Sequence, residues 1–179
     1  MTHSCSGAAV GLDEVLANKE ARVKRQGEWL RRHSLPLISF SVNIPGPNKL
    51  TPSALKVFEQ GVNAISAACI QHGCDIVARQ LLTQDTGPEA IFVIEGVSAL
   101  ELKKIMIDIE SDHALGRLMD LDVIGRDGKI ISRQGQHMPR RKCFVCDEDA
   151  VVCARSRRHS LPELLSKIDD MVLKDECCS

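Results

Sequence analysis

The stretch Gly116-Arg117-Leu118-Met119-Asp120-Leu121-Asp122-Val123 holds the residue pattern with most chemistry in it. Side chains alternate faces along a strand, so Asp120 and Asp122 point one way while Leu121 and Val123 turn to a core. Two adjacent carboxylates repel unless a proton or cation intervenes. A divalent ion resolves that repulsion, and Mg²⁺ favours one or two carboxylates together with substrate phosphates. Phosphoryl and nucleotidyl transfer use this arrangement, because the metal clamps the reacting phosphate and neutralises charge on the leaving diphosphate. A solvated strand face running into a turn has the same Asp-x-Asp spacing. The neighbours weigh towards chemistry: Gly116 permits close backbone approach, and Arg117 can fork onto a phosphate. Glu110 and His113, just upstream, can supply a third carboxylate or a proton acceptor, and each is equally at home as a surface residue.

A second concentration is Arg140-Arg141-Lys142-Cys143-Phe144-Val145-Cys146, followed by Cys153 and His159. Three cysteines and a histidine in one stretch suit a tetrahedral Zn²⁺ site. Reduced, partly buried thiols are the other reading. A redox dithiol lacks the expected strand-to-helix context before Cys143. Arg140, Arg141, Lys142, Arg155, Arg157 and Arg158 surround these cysteines and make a strong local field. Such a field suits a cradle for phosphates, a dock for an acidic carrier protein, or a solvated loop. Finally, Pro45-Gly46-Pro47-Asn48-Lys49 is a rigid turn that sets Lys49 ahead of a helix N-terminus, where it can meet an anion. Proline donates no backbone N–H, so this is no phosphate-binding nest, and a plain strand-to-helix turn reads the same.

These residues need elements to hold them. Leu12 to Arg32 reads as a largely exposed helix. Leu35 to Ile44 reads as a strand, stopped by the Pro-Gly-Pro turn. Thr51 and Pro52 start a helix as N-cap and first residue, with Leu55, Phe58, Val62, Ile65 and Cys69 along one face and Gly73 as the stop. Asp75 to Thr83 and Ala90 to Glu95 read as strands around a turn at Gln84 to Pro88. Ser98-x-x-Glu101 is a capping box ahead of Leu102, Ile105, Met106 and Ile109. Leu121 to Ile124 and Lys129 to Ser132 read as strands around an Asp127-Gly128 turn. The order from Leu35 to Ile124, β-α-β-β-α-β, predicts an α+β sandwich, ferredoxin-like or of the small nucleotidyltransferase kind. Beyond Ser132 a basic, cysteine-bearing loop is expected to reach His159, and Ser160-x-x-Glu163 caps a last helix carrying Leu164, Leu165, Ile168 and Met171. The expected organisation is a single domain over 1–173, with a helix at 12–32, an α+β core at 35–132 and the basic loop and helix at 133–173. A tail at 174–179, holding Cys177 and Cys178, is expected to lack fixed structure.

The chain's 179 residues are enough to bury a core, and 44% hydrophobic with 26% charged residues is ordinary globular composition. A formal net charge of -1, no Tyr, one Trp and four Phe argue against nucleic acid, which favours a basic excess and stacking rings. Met1 to Asp13 lacks the basic start and apolar run of a signal peptide, and no apolar stretch is long enough for a bilayer. A cytoplasmic location without membrane contact is therefore expected, with the eight cysteines as thiols or metal ligands.

Taken together, these segments resemble the CitX family, the apo-citrate lyase phosphoribosyl-dephospho-CoA transferases, from about Leu12 to Met171. The residues that carry the resemblance are Ser39-Phe40 with Pro45-Gly46-Pro47 and Lys49; His113 with Leu115 to Leu118, Asp120 and Asp122-Val123; and Arg140-Arg141-x-Cys143-x-x-Cys146 through Cys153-Ala154-Arg155 to His159. The resemblance implies transfer of the phosphoribosyl-dephospho-CoA group from 2'-(5''-triphosphoribosyl)-3'-dephospho-CoA to a serine of the acyl-carrier (gamma) subunit of citrate lyase, with release of diphosphate. The Asp pair also resembles that of the malonate-decarboxylase counterpart, a nucleotidyltransferase. On this reading Asp120 and Asp122 hold Mg²⁺, and His113 or Glu110 is the base. Gly116, Arg117, Lys49, Arg140, Arg141 and Arg155 meet the substrate, and the Cys143/Cys146/Cys153/His159 cluster, with or without Zn²⁺, shapes the basic loop. Two other readings share features with it: a non-catalytic zinc-binding interaction module, and a metal-dependent nucleotidyltransferase with a small-molecule acceptor. An RNA-binding protein comes third.

Overall fold

The computed structural model describes residues 7–133 and 137–178. Helix α1 (Leu12–His33) leads into β1 (Leu37–Val42), α2 (Pro52–His72), β2 (Asp75–Gln84), β3 (Gly87–Glu95) and α3 (Ala99–Asp112). A 3₁₀ turn (Gly116–Leu118) feeds β4 (Met119–Ile124), and α4 (Ala150–Ser156) and α5 (Leu161–Cys178) complete the chain. The expected start signals are in place. Thr51 Oγ1 accepts from the Ala54 N–H at 3.1 Å. Ser98 Oγ accepts from the Glu101 N–H at 3.2 Å, while Glu101 reaches back to the Ser98 N–H at 3.3 Å. Ser160 Oγ accepts from the Glu163 N–H at 3.3 Å.

The four strands form one sheet in the order β2-β3-β1-β4, with every neighbouring pair antiparallel. The connection β1-α2-β2 leaves room for β3, and β3-α3-β4 leaves room for β1, so two split β-α-β units interleave. The class is α+β, as expected. Helices α2 and α3 cover one face, burying Ile38, Phe40, Phe92, Ile94, Leu121 and Val123. Gly61 of α2 makes this approach possible: a Cβ there would lie 2.2 Å from Cζ of Phe40. The other face is partly covered by α1, whose Trp29 and Leu30 pack on Leu37, Ile91, Val93 and Ile124. No residue of α1 is fully buried, which fits the exposed helix read from its sequence. Its charged side earns its place on the sheet through Glu89 of β3, which is buried and receives Arg22, Arg25 and Asn18.

The C-terminal third differs most from expectation. Lys129 to Ser132 is not a strand: only Ile130 bridges to Ile124, and Ile131 N–H donates to Val123 O at 2.9 Å. Pairing stops there because side chains from α3 already occupy the next backbone groups of β4, as described below. The basic loop contains the short helix α4, and α5 runs through 174–178, the stretch expected to lack structure. Helix α5 docks through Ile168 and Val172 in the main core and through Ser53 Oγ to Asp169 Oδ1 at 2.7 Å. Among the described residues no helix is long and apolar enough to cross a membrane.

Candidate active site

Strand β4 lies at the sheet edge and carries Asp120 and Asp122 on the face away from α2 and α3. Across the ladder they stand opposite Ser41 and Ser39 of β1. Burial first, and the charge of Asp120 second, push the Asp122 carboxyl above its ordinary range; Lys103, Arg141 and Arg22 pull the other way. The outer edge of the strand is filled. Lys103 Nζ donates to Leu121 O at 2.9 Å, and Leu121 N–H donates to Glu110 Oε1 at 2.9 Å. Arg141 reaches Met119 O and Arg117 O with one nitrogen and Asp120 Oδ1, 3.3 Å away, with another. A cavity of about 310 Å³ joins Asp120, Asp122, Lys103, Glu110, Arg133 and Arg141. Two carboxylates among such cations can hold a divalent ion and a phosphate chain side by side.

The neighbours of the pair sort differently. Glu110 is buried, and its carboxylate is committed to the Leu121 N–H and to an ion pair with Arg133. His113 ends α3, and its Nδ1 accepts from the Leu115 N–H at 3.0 Å. A ring accepting at Nδ1 carries its proton on Nε2 when neutral. Gly116 is buried with its 3₁₀ turn against the end of α3, where a Cβ would stand 2.4 Å from Ile109 O and 2.6 Å from Glu110 O. That contact alone explains a glycine here. Arg117 NH1 donates to Cys143 O at 2.9 Å and so ties the turn to the basic loop.

The three cysteines and His159 of that stretch come together in the fold. The sulfurs of Cys143, Cys146 and Cys153 and a ring nitrogen of His159 all lie within 4.8 Å of one another. Cys146 and Cys153 sulfurs are 3.4 Å apart, and both remain free thiols. His159 Nδ1 faces Glu163 Oε1 at 3.4 Å, while Nε2 is buried without a hydrogen-bond partner. A carboxylate on one ring nitrogen and an orphaned second nitrogen are what a metal-ligating imidazole shows. A hydrogen bond from the Glu148 backbone is the largest influence lowering the Cys146 thiol, whereas burial pushes Cys153 up. The cluster can bind a metal.

The remaining cations scatter. Arg140 and Lys142 both pair with Asp149, and Arg158 lies 3.7 Å from Glu148. Arg155 sits exposed on α4 and lines neither the carboxylate cavity nor the one beside the cysteines. Lys49 Nζ donates to Ile44 O at 2.6 Å, and burial lowers its pKa. It lines a third, smaller cavity with Lys19, Arg22 and Ser41, on the β1 side of the pair. The sequence reading missed Lys103 and Arg133: each is one charge in a helix or loop, and only the fold brings them to β4.

The family profile described as apo-citrate lyase phosphoribosyl-dephospho-CoA transferase (CitX) matches residues 10–175. A Vibrio cholerae O1 protein named "Probable apo-citrate lyase phosphoribosyl-dephospho-CoA transferase" is 56% identical over 171 residues, covering 96% of this chain and 96% of its own. Proteins named "Apo-citrate lyase phosphoribosyl-dephospho-CoA transferase" from Shigella boydii serotype 18 and Escherichia coli O157:H7 are 37% identical over 171 residues, covering 96% of this chain and 93% of their own.

Proposed function

The chain belongs to the apo-citrate lyase phosphoribosyl-dephospho-CoA transferase family, and from that premise we propose how its site works. The protein is a transferase that attaches the phosphoribosyl-dephospho-CoA group to apo-citrate lyase. In the reaction proposed, the donor is 2'-(5''-triphosphoribosyl)-3'-dephospho-CoA. A serine hydroxyl of the acyl-carrier (gamma) subunit attacks the phosphorus nearest the ribose. A phosphodiester forms, the bond to the outer two phosphates breaks, and diphosphate leaves with the hydroxyl proton released.

The observation that carries this reading is the Asp120–Asp122 pair with Arg141 on Asp120. A Mg²⁺ held by the two aspartates would neutralise charge on the triphosphate. Arg141 faces the same phosphates and supports the diphosphate as it departs. Glu110 is a positioning residue: with Lys103 it fixes the backbone between the two aspartates. His113, accepting at Nδ1, is set to donate from Nε2 rather than to take a proton. Cys143, Cys146, Cys153 and His159 fit a structural Zn²⁺ that would hold the basic loop in shape.

Intact-mass analysis of the apo carrier subunit, incubated with this protein, Mg²⁺ and the triphosphoribosyl donor, tests the reading. The expected result is a gain equal to one phosphoribosyl-dephospho-CoA group, slowed at least about a hundredfold by Asp120→Asn. Wild-type rates from Asp120→Asn overturn the metal assignment. No gain with a competent donor and carrier overturns the reaction.

A further inference from the structure

Beside the cysteine cluster, between residues 141–144, α4 and the start of α5, lies a cavity of about 410 Å³. Its lining is largely apolar, with Pro45, Phe144, Leu161 and Leu164, yet it includes Arg117, Arg141, Lys142 and Arg157. No carboxylate among the described residues lines it. The surrounding cations are mostly neutralised, since Arg140 and Lys142 pair with Asp149 and Arg158 with Glu148. Arg117 and Arg157 form no ion pair among the described residues. Unpaired cations on an apolar cavity of this size suit a small molecule with an apolar body and anionic groups. Arg141 also lines the carboxylate cavity, so the two spaces share a wall.

We propose that this cavity binds the dephospho-CoA portion of the donor, with Phe144, Leu161 and Leu164 against its adenine or pantetheine and Arg117 and Arg157 on its 5'-diphosphate. The inference rests on the transferase reading above and adds the place of the part of the donor that does not react. The donor has two anionic groups, a triphosphate on its added ribose and a diphosphate between adenosine and pantetheine. Two of the cation-bearing cavities meet at Arg141. Holding the unreactive arm in the second cavity places the triphosphate at Asp120 and Asp122, so remote binding energy orients the reacting phosphorus. Cys143, Cys153 and His159 also line this cavity.

Dephospho-CoA, which lacks the triphosphoribosyl group, probes this cavity without chemistry. Titration calorimetry with the full chain is expected to show binding, and transfer assays to show competition with the donor. Leu164→Glu places a charge against the apolar arm, and is expected to weaken dephospho-CoA and raise the donor KM by at least about tenfold. Arg157→Ala, at an exposed position, is expected to do the same more mildly and to reduce the salt dependence of binding. Asp120→Asn is expected to slow transfer at least about a hundredfold while leaving dephospho-CoA affinity unchanged. If wild-type protein transfers the group while dephospho-CoA neither binds nor competes and both variants keep the normal donor KM, the proposal is overturned and the transferase reading stands. A rise in the KM for the carrier subunit alone also overturns it, making the cavity a carrier dock. If transfer fails but dephospho-CoA binds and Leu164→Glu removes it, the site stands and the reaction is wrong.

Discussion

The two aspartates differ although they share a strand face. Asp122 is the more enclosed of the pair, and its pKa is raised by burial and then by Asp120. In the metal-free protein the folded state therefore keeps the Asp122 proton at pH values where the unfolded chain, near 3.8, has lost it. Stability contributed by the neutral form is present below 3.8 and declines as pH rises through the folded pKa. A carbon-detected carboxyl titration by NMR checks this: the Asp122 midpoint should lie above 3.8 and fall in Asp120→Asn, where the like charge is gone. A midpoint at or below that value contradicts the assigned burial. Gly116 makes a second prediction at this scale. Because its missing Cβ would meet backbone oxygens rather than a yielding side chain, Gly116→Ala should destabilise by about 1–3 kcal/mol, measured by urea unfolding. The sequence suggested Gly116 for close approach to a ligand; the close approach is to α3.

Among the elements, β4 depends on α3 for more than packing. Lys103 and Glu110 lie on α3 and complete both hydrogen-bonding groups of Leu121. Lys103→Met should leave the Leu121 carbonyl unpaired and cost about 1–3 kcal/mol in urea unfolding, with amide exchange near Leu121 accelerated. Unchanged stability would mean that water replaces the ammonium without loss. This arrangement also explains what was and was not legible. The caps at Thr51, Ser98 and Ser160 are local signals, and each helix starts where they say. The Ile130-Ile131 run has strand character but finds its partner groups on β4 already taken beyond Val123. Helix α4 was missed because Ala150–Ser156 is one short segment with two valines and no side-chain cap hydrogen bond. What holds it is Cys153, buried in a cluster whose other members lie outside the helix. Asp120 and Asp122 were legible through alternation alone; the arginine that meets Asp120 comes from a loop after a gap no periodicity spans.

Over the whole molecule, the segment from Pro139 onward is fastened to the sheet at few places. Arg117 holds Cys143 O, Arg141 holds the start of β4, and α5 packs on the core through Ile168 and Val172. A metal in the Cys/His cluster would tie the middle of this segment to itself. Chelation should therefore speed proteolytic cleavage between 139 and 160 while the sheet stays protected, and readded Zn²⁺ should restore resistance. Equal cleavage with and without chelator would remove the metal from the account. The filled border of β4 has one more consequence, for self-association. A sheet recruits foreign strands through unpaired backbone, and here α3, Arg141 and Ile131 occupy Met119 O, both groups of Leu121 and Val123 O on β4. The opposite border, β2, pairs only with β3 within the sheet and exposes Val77 and Leu81. Strand addition to the folded protein is thereby favoured at β2, where a single Val77→Lys exchange would test for improved solubility.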